Sequence, residues 1–316
     1  MYHYKINHNY LSKTWKKKRT GYINLDDEKL IKNSKIDKKL KNLNKGFKQK
    51  NDIGVTGRKK IVNSINWLYH IAEWKKYITK NGKHMQFKIS FLTLTLPCKQ
   101  MHTDGELVKL ALQPILNNLR QNYDLQNYVW RAEIQKNGNL HFHIITDTPI
   151  NYWLTLKNWN NILSKLGYIE QFRKLNPKSN FPNSVDVKRA GNIKKIGSYL
   201  AKYLAKKRTV EDNQRTLNCR HYDLSYSLSR LQEFSKQNQD ICEIAYVFSR
   251  HCANVITKIN DWAEVKIIRL RELTAVFPWI VDEIKKRLKE QFDLRPCRVT
   301  SYYQITELQM KMYFSN

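Results

Sequence analysis

The strongest constraint on the fold is a 19-residue stretch, YVWRAEI-QKNGN-LHFHIIT, over residues 128–146. Two runs of alternating or continuous apolar character flank Asn137-Gly138, the dipeptide that most strongly specifies a tight β-hairpin. A hairpin of this kind commits the chain to an antiparallel sheet. A third strand is predicted in FKISFLTLTL (87–96), where threonine alternates with large apolar residues until Pro97 ends the run. Helices are predicted between these strands. Thr103 and Glu106 are spaced as a capping box that opens a helix running to about Asn122, with a kink at Pro114. After Pro149, Leu156, Trp159, Ile162, Leu163 and Leu166 form a helical stripe that stops at Gly167. A short strand at Val185-Asp186-Val187 leads into a helix over about 193–207. Together these elements predict strands, two of them joined in an antiparallel hairpin, interleaved with helices.

Charge narrows the function. Lys and Arg number 57 against 27 Asp and Glu in 316 residues, a formal charge of +30. Self-repulsion of that size favours a polyanionic partner, and nucleic acid is the first candidate. No run approaches the roughly 18 apolar residues of a membrane span, and the N-terminus lacks a secretory apolar core, so no membrane partner and a cytoplasmic location are expected. Five cysteines, Cys98, Cys219, Cys242, Cys252 and Cys297, are widely spaced and are expected as reduced thiols. Residues 1–60, with eighteen basic and five acidic side chains, read as a basic N-terminal arm, partly helical at best. Apolar residues from Ile61 to Tyr77 recur at three or four and predict a helix over 61–78. The division predicted is an arm (1–60), a central domain (61–208) and a mostly helical C-terminal accessory region (209–316), with amphipathic segments at 241–260 and 279–292.

Chemistry enters through the hairpin. His141 and His143, two apart on a strand, project to the same face and can share one divalent ion. Whether Glu133 joins them depends on the turn. A two-residue Asn-Gly turn sets Ile134 opposite His141 and turns Glu133 away. A three-residue Lys136-Asn137-Gly138 loop, with Gly138 in the left-handed bulge position, sets Glu133 opposite His141. The metal reading therefore requires the bulged hairpin. A nitrogen and oxygen donor set without thiolate points to Mg²⁺ or Mn²⁺ rather than zinc. An isolated His-x-His is also compatible with a plain solvated strand face.

The segment GSYLAKYLAKK (197–207) places Tyr199 and Tyr203 one helical turn apart, at the edge of a stripe formed by Ile196, Leu200 and Leu204. Lys202 and Lys206 each follow a tyrosine by three residues. Between Asp186 and Glu211 there are eight basic residues and no acid, which suits a phosphate-holding surface. A phenol is a weak nucleophile at its ordinary pKa near 10, so it needs neighbouring positive charge and a polarised electrophile. The lysines and the histidine pair would supply both.

The order FLTLTLP (91–97), HFH (141–143), YLAKYLAKK (199–207) resembles the histidine-hydrophobe-histidine (HUH) endonucleases. The resemblance is closest to the rolling-circle replication initiators of single-stranded DNA bacteriophages and related plasmids, the branch with two active-site tyrosines. It covers about residues 87–208. It implies an α+β fold, an antiparallel β-sheet flanked by helices of the RRM- or ferredoxin-like kind, with the histidines on a central strand facing the tyrosine helix. It also implies nicking of a single-stranded DNA origin, a 5′-phosphotyrosine adduct with a free 3′-OH, and later religation. By the same match His141 and His143 are metal ligands, Glu133 is the third, Tyr199 and Tyr203 are nucleophiles, and Lys202 and Lys206 steady phosphate charge. The sequence carries no phosphate-binding loop, so duplex opening and synthesis would fall to a host helicase and polymerase. The rival reading is a nucleic-acid-binding protein without catalysis. A zinc module built from Cys219, His221, Cys242, His251 and Cys252 fits no justified ligand spacing.

Overall fold

The computed structural model describes residues 2–6, 10–15, 53–78, 82–179, 181–191, 215–231, 234–260, 263–268 and 270–292. In chain order the strands among them are β1 (Tyr2–Ile6), β2 (Tyr10–Trp15), β3 (Lys75–Ile78), β4 (His84–Phe87), β5 (Ile89–Leu94), β6 (Tyr128–Ile134), β7 (Leu140–Thr146), β8 (Val185–Ala190), β9 (Tyr222–Leu224), β10 (Ile256–Asn260) and β11 (Ala263–Ile267).

The central element is a five-stranded antiparallel sheet in the order β8-β5-β7-β6-β9. Its first four strands in sequence, with one helical segment after β5 and another after β7, form a βαββαβ unit, the ferredoxin-like arrangement, which β9 extends at one edge. The first helical segment opens with the expected capping box: Thr103 accepts from the Glu106 amide, and the Glu106 carboxylate accepts from the Thr103 amide. It continues as Asp104–Leu107, a π turn at Val108–Leu112 and Gln113–Tyr123. Pro114 falls at the start of the last piece, so the irregularity predicted at the proline is taken up one turn earlier as the π turn. The second segment runs Tyr152–Lys165 and is reversed at Gly167, whose φ of 80° requires the left-handed region.

Both segments cover one face of the sheet. Leu112, Ile115, Leu116, Trp159 and Leu163 bury against Leu92, Leu94, Trp130, Phe142 and Ile144, and all of these are at most 1% exposed. At roughly 1.5–3 kcal/mol for each large side chain removed from water, this face dominates the stability of the unit. The opposite face is divided. Phe91, Val129, Ile145 and Leu224 pack into a second core with Ile61, Ile65 and Leu68 of helix Val55–Ile71. The neighbouring residues along the same strands, Thr93, His141, His143 and Glu133, are polar.

Three expectations need correction. The start of the supposed basic arm is folded: β1 pairs with β2, and β2 pairs with β11, so residues 2–15 share a four-stranded sheet β1-β2-β11-β10 with the C-terminal region. The helix expected over 61–78 runs from Val55 to Ile71 instead, and Lys75–Ile78 is a strand paired with His84–Phe87. Ala72 turns extended and Lys88 Nζ donates to the Tyr69 carbonyl, a cation on the helix's last free carbonyls. The amphipathic segment expected over 241–260 divides into helix Gln239–Phe248, a 3-10 turn at Ser249–His251 and β10. No helix among the described residues is long and apolar enough to cross a membrane.

Candidate metal centre

The turn between β6 and β7 sets the centre. Gly138 has φ 82°, the Gly138 amide donates to the Gln135 carbonyl and the Gln135 amide donates to the Asn139 carbonyl. This is the three-residue bulged loop, and its register pairs Glu133 with His141 and Arg131 with His143. A register one residue shorter would have sent Glu133 to the opposite, apolar face.

Three donor atoms converge as a result. His141 Nε2 and His143 Nε2 lie 3.1 Å apart, and Glu133 Oε2 lies 3.5 Å from the first and 3.4 Å from the second. Ligands bound to one ion at about 2.1 Å are separated by roughly 3.0 Å at right angles and roughly 3.4 Å at tetrahedral angles. The observed spacings fit that range. Glu133 Oε2 is buried without a hydrogen-bond partner, as an oxygen reserved for a cation would be. Among the described residues this is the one group of three or more His, Cys, Asp and Glu donors drawn together closely enough to hold a metal ion.

Neighbouring strands tune the donors. Thr93 on β5 pairs with His143, and its Oγ1 lies 3.1 Å from His143 Nδ1. With Nδ1–H donating to Thr93, the lone pair of His143 sits on Nε2, facing the other two donors. Burial holds the His143 pKa below its ordinary value, helped by the neighbouring His141 and Arg131 and opposed by Glu133. The imidazole is therefore neutral, the form that binds metals. Burial would raise the Glu133 pKa, but contacts with His141 and His143 and the Arg131 charge outweigh it and hold the carboxyl well below the usual carboxylate range. Thr93 and Arg131 were not singled out from the sequence. The signal was available for Thr93, because alternation in FLTLTL places its threonines on the face opposite Leu92 and Leu94.

A second network anchors the hairpin loop. The Asp104 carboxylate, fully buried, accepts two bonds of 2.7 Å from Arg215 and one each from Gln100 Nε2 and the Asn218 amide. Arg215 also donates to the Gly138 carbonyl, and Gln100 Oε1 accepts from the Leu140 amide, one residue before His141. The loop that fixes the ligand register is thus tied to the start of a helix and to the chain entering β9.

Tyr199, Tyr203, Lys202 and Lys206 lie outside the described residues, in the stretch 192–214 that links β8 to β9. Those two strands are the opposite edges of the sheet that carries the metal donors. Cys219, His221, Cys242, His251 and Cys252 do not form a donor group with one another.

Residues 89–208 match the family of the replication-associated protein ORF2. The match supports a replication-initiator family. It covers a little over a third of the chain, beginning at the first residue of β5, enclosing all three metal donors and ending just after YLAKYLAKK. No curated protein and no solved structure matches the chain. The replication-initiator match and the donor cluster thus fall on the same segment.

Proposed function

We propose that the chain nicks and rejoins single-stranded DNA at a replication origin through tyrosine attack assisted by a divalent metal. The observation that carries this reading is the convergence of His141, His143 and Glu133 at 3.1–3.5 Å within the segment similar to replication-associated proteins. A Mg²⁺ or Mn²⁺ ion held by these three residues would supply Lewis-acid polarisation of the scissile phosphate.

The remaining work falls to the chain itself. Tyr199 or Tyr203 contributes the attacking oxygen: a tyrosine O–P bond forms, the P–O3′ bond breaks, the phenolic proton leaves to solvent and the departing 3′ oxygen takes one up. Lys202 and Lys206 offset the phosphate's charge and favour the phenolate. Arg131, in the same cross-strand row as His143, adds a fixed guanidinium beside the donors. Rejoining is the reverse exchange, with the 3′-OH attacking the phosphotyrosine. A second tyrosine lets a new origin be opened while the first still holds the 5′ end.

Incubation with circular single-stranded DNA and Mn²⁺ tests the reading. A protein–DNA adduct that survives denaturant is expected from the wild type, in reduced amount from Tyr199→Phe and from Tyr203→Phe, and not at all from the double variant. An adduct that persists in the double variant would remove the tyrosines from the mechanism. Tight binding with no adduct under any metal would leave the chain a non-catalytic DNA-binding protein.

A further inference from the structure

A cleft of about 400 Å³ opens on the donor face of the sheet, two strands from His143, between the first turns of helix Val55–Ile71 and the edge strand β9. We propose that it is a subsite for one nucleotide of the single-stranded DNA flanking the scissile phosphate. This assignment rests on the nicking reading for the word "scissile" but not for the binding itself.

Position comes first. Tyr222 on β9 pairs with Arg131, and Arg131 pairs with His143, so Tyr222, Arg131 and His143 occupy one row across the sheet. Alternation along the strands puts Glu133 on the face that bears His143, and two interstrand spacings separate β9 from β7, about 10 Å. A strand of DNA with one phosphate at the donors therefore has a neighbouring nucleotide within reach of the cleft.

The lining suits that occupant. Lys60 stands on the helix wall, and Arg220 and His221 stand on the opposite wall where the chain enters β9. Among the described residues Asp223 is the one acidic side chain lining the cleft, and it is already paired with Arg220 at 2.9 Å. The partly buried Tyr222 ring offers an aromatic surface for a sugar or base. Gly57 makes the close wall possible: a Cβ there would come within 2.9 Å of Tyr222 Oη and 2.8 Å of Ile53 Cγ2. The volume lies within the range of small-ligand pockets, and cations beside an aromatic ring are the general requirement for holding single-stranded nucleic acid.

The test is oligonucleotide affinity measured by fluorescence anisotropy in EDTA, so that metal and cleavage play no part. Lys60→Ala combined with Arg220→Ala should weaken binding at least tenfold and flatten the log–log salt slope by about 1.4, from roughly 0.7 for each of two phosphate contacts. A control pair, Lys165→Ala with Lys174→Ala, removes the same charge from exposed helical positions after β7 and should change neither quantity appreciably. Photo-crosslinking with an oligonucleotide carrying 5-iododeoxyuridine should give a Tyr222 adduct, absent in Tyr222→Phe/Lys60→Ala/Arg220→Ala. Equal losses in both charge-removal pairs, or wild-type affinity in the first, would overturn the assignment. An adduct-forming enzyme with an inert cleft would leave the nicking reading standing, and a binding cleft without adduct would do the reverse.

Discussion

The two faces of the central sheet are built from alternate residues of the same strands and behave oppositely. On β7, Phe142 and Ile144 bury completely beneath two helical segments, while His141 and His143, their immediate neighbours, face the other way. On β5 the same division separates Leu92 and Leu94 from Thr93. One face is uniformly apolar and closed. The other is apolar only where helix Val55–Ile71 covers it and polar where the donors sit. Imidazoles and a carboxylate under the closed face would have been stranded without water or partner, at a cost of several kcal/mol. On the other half they meet one another and Thr93, in a cluster that a bound cation would complete. The sheet's rigidity comes from one side, and its candidate metal site lies on the other.

Adjacent positions on β7 should therefore fail in different ways. Phe142→Ala should destabilise the fold by about 3–5 kcal/mol, since a fully buried ring is replaced by a cavity. His143→Ala should move the melting temperature little, abolish adduct formation and leave oligonucleotide affinity nearly intact, because affinity comes mainly from Lys and Arg contacts to phosphate. Thermal melts with adduct gels and anisotropy separate the two. Equal loss of stability in both variants would make the histidines core residues and erase the contrast between the faces.

A finer test stays within the open face. Glu133→Gln should raise the Mn²⁺ concentration needed for half-maximal adduct formation by about 10–100-fold, and Thr93→Val should raise it by about tenfold through the loss of its bond to His143 Nδ1. Direct Mn²⁺ titration followed by electron paramagnetic resonance gives the same order without DNA. A Glu133 variant with unchanged metal dependence would show that the carboxylate does not bind the ion.

The three-donor cluster was legible where some of the strands around it were not, while Tyr199, Lys202, Tyr203 and Lys206 lie outside the described residues. Glu133, His141 and His143 could be brought together from the sequence because a hairpin is local: Asn137-Gly138 limits the turn to a few geometries, and only one of them aligns three donors. The capping box at Thr103 and the stop at Gly167 were legible for the same reason. Strands β1 and β2 were not. The strand β11 that seats β2 in a sheet lies about 250 residues away, and the lysines of KINHNYLSKTW hide the alternation of Tyr4, Ile6 and Leu11 toward the core. Lys75–Ile78 was misread because Tyr77 continues a helical spacing that ends physically at Ala72. The roles of Arg131 and Arg215 depend on cross-strand and long-range contacts that no local pattern encodes, and alternation gave the face of Thr93 but not its partner His143.

The smallest effect concerns the tie that holds the hairpin loop. Burial alone would raise the Asp104 pKa, but bonds from Arg215, the Asn218 amide and Gln100 outweigh it and hold the carboxyl below its ordinary value of 3.8. A carboxyl depressed in the folded state stabilises the fold above its unfolded pKa, and that contribution disappears as pH falls through the folded value. Asp104→Asn should therefore cost about 1–2 kcal/mol near neutral pH, because the amide nitrogen replacing one carboxylate oxygen cannot accept that oxygen's two bonds, while the partly exposed Arg215 retains access to water. The gap between wild type and variant should be constant above about pH 5 and should narrow as pH falls below 3.8. Denaturant melts across that range measure it. A gap that stays constant to the lowest pH would mean that the charge of Asp104 contributes nothing and that the loop is held by turn geometry alone. Since Arg215 also grips the Gly138 carbonyl, the same variant should loosen Mn²⁺ binding by a few-fold at most, well short of the effect at Glu133. If its effect on Mn²⁺ equalled that of Glu133→Gln, the tie rather than the bulged turn would be what keeps the donors in register.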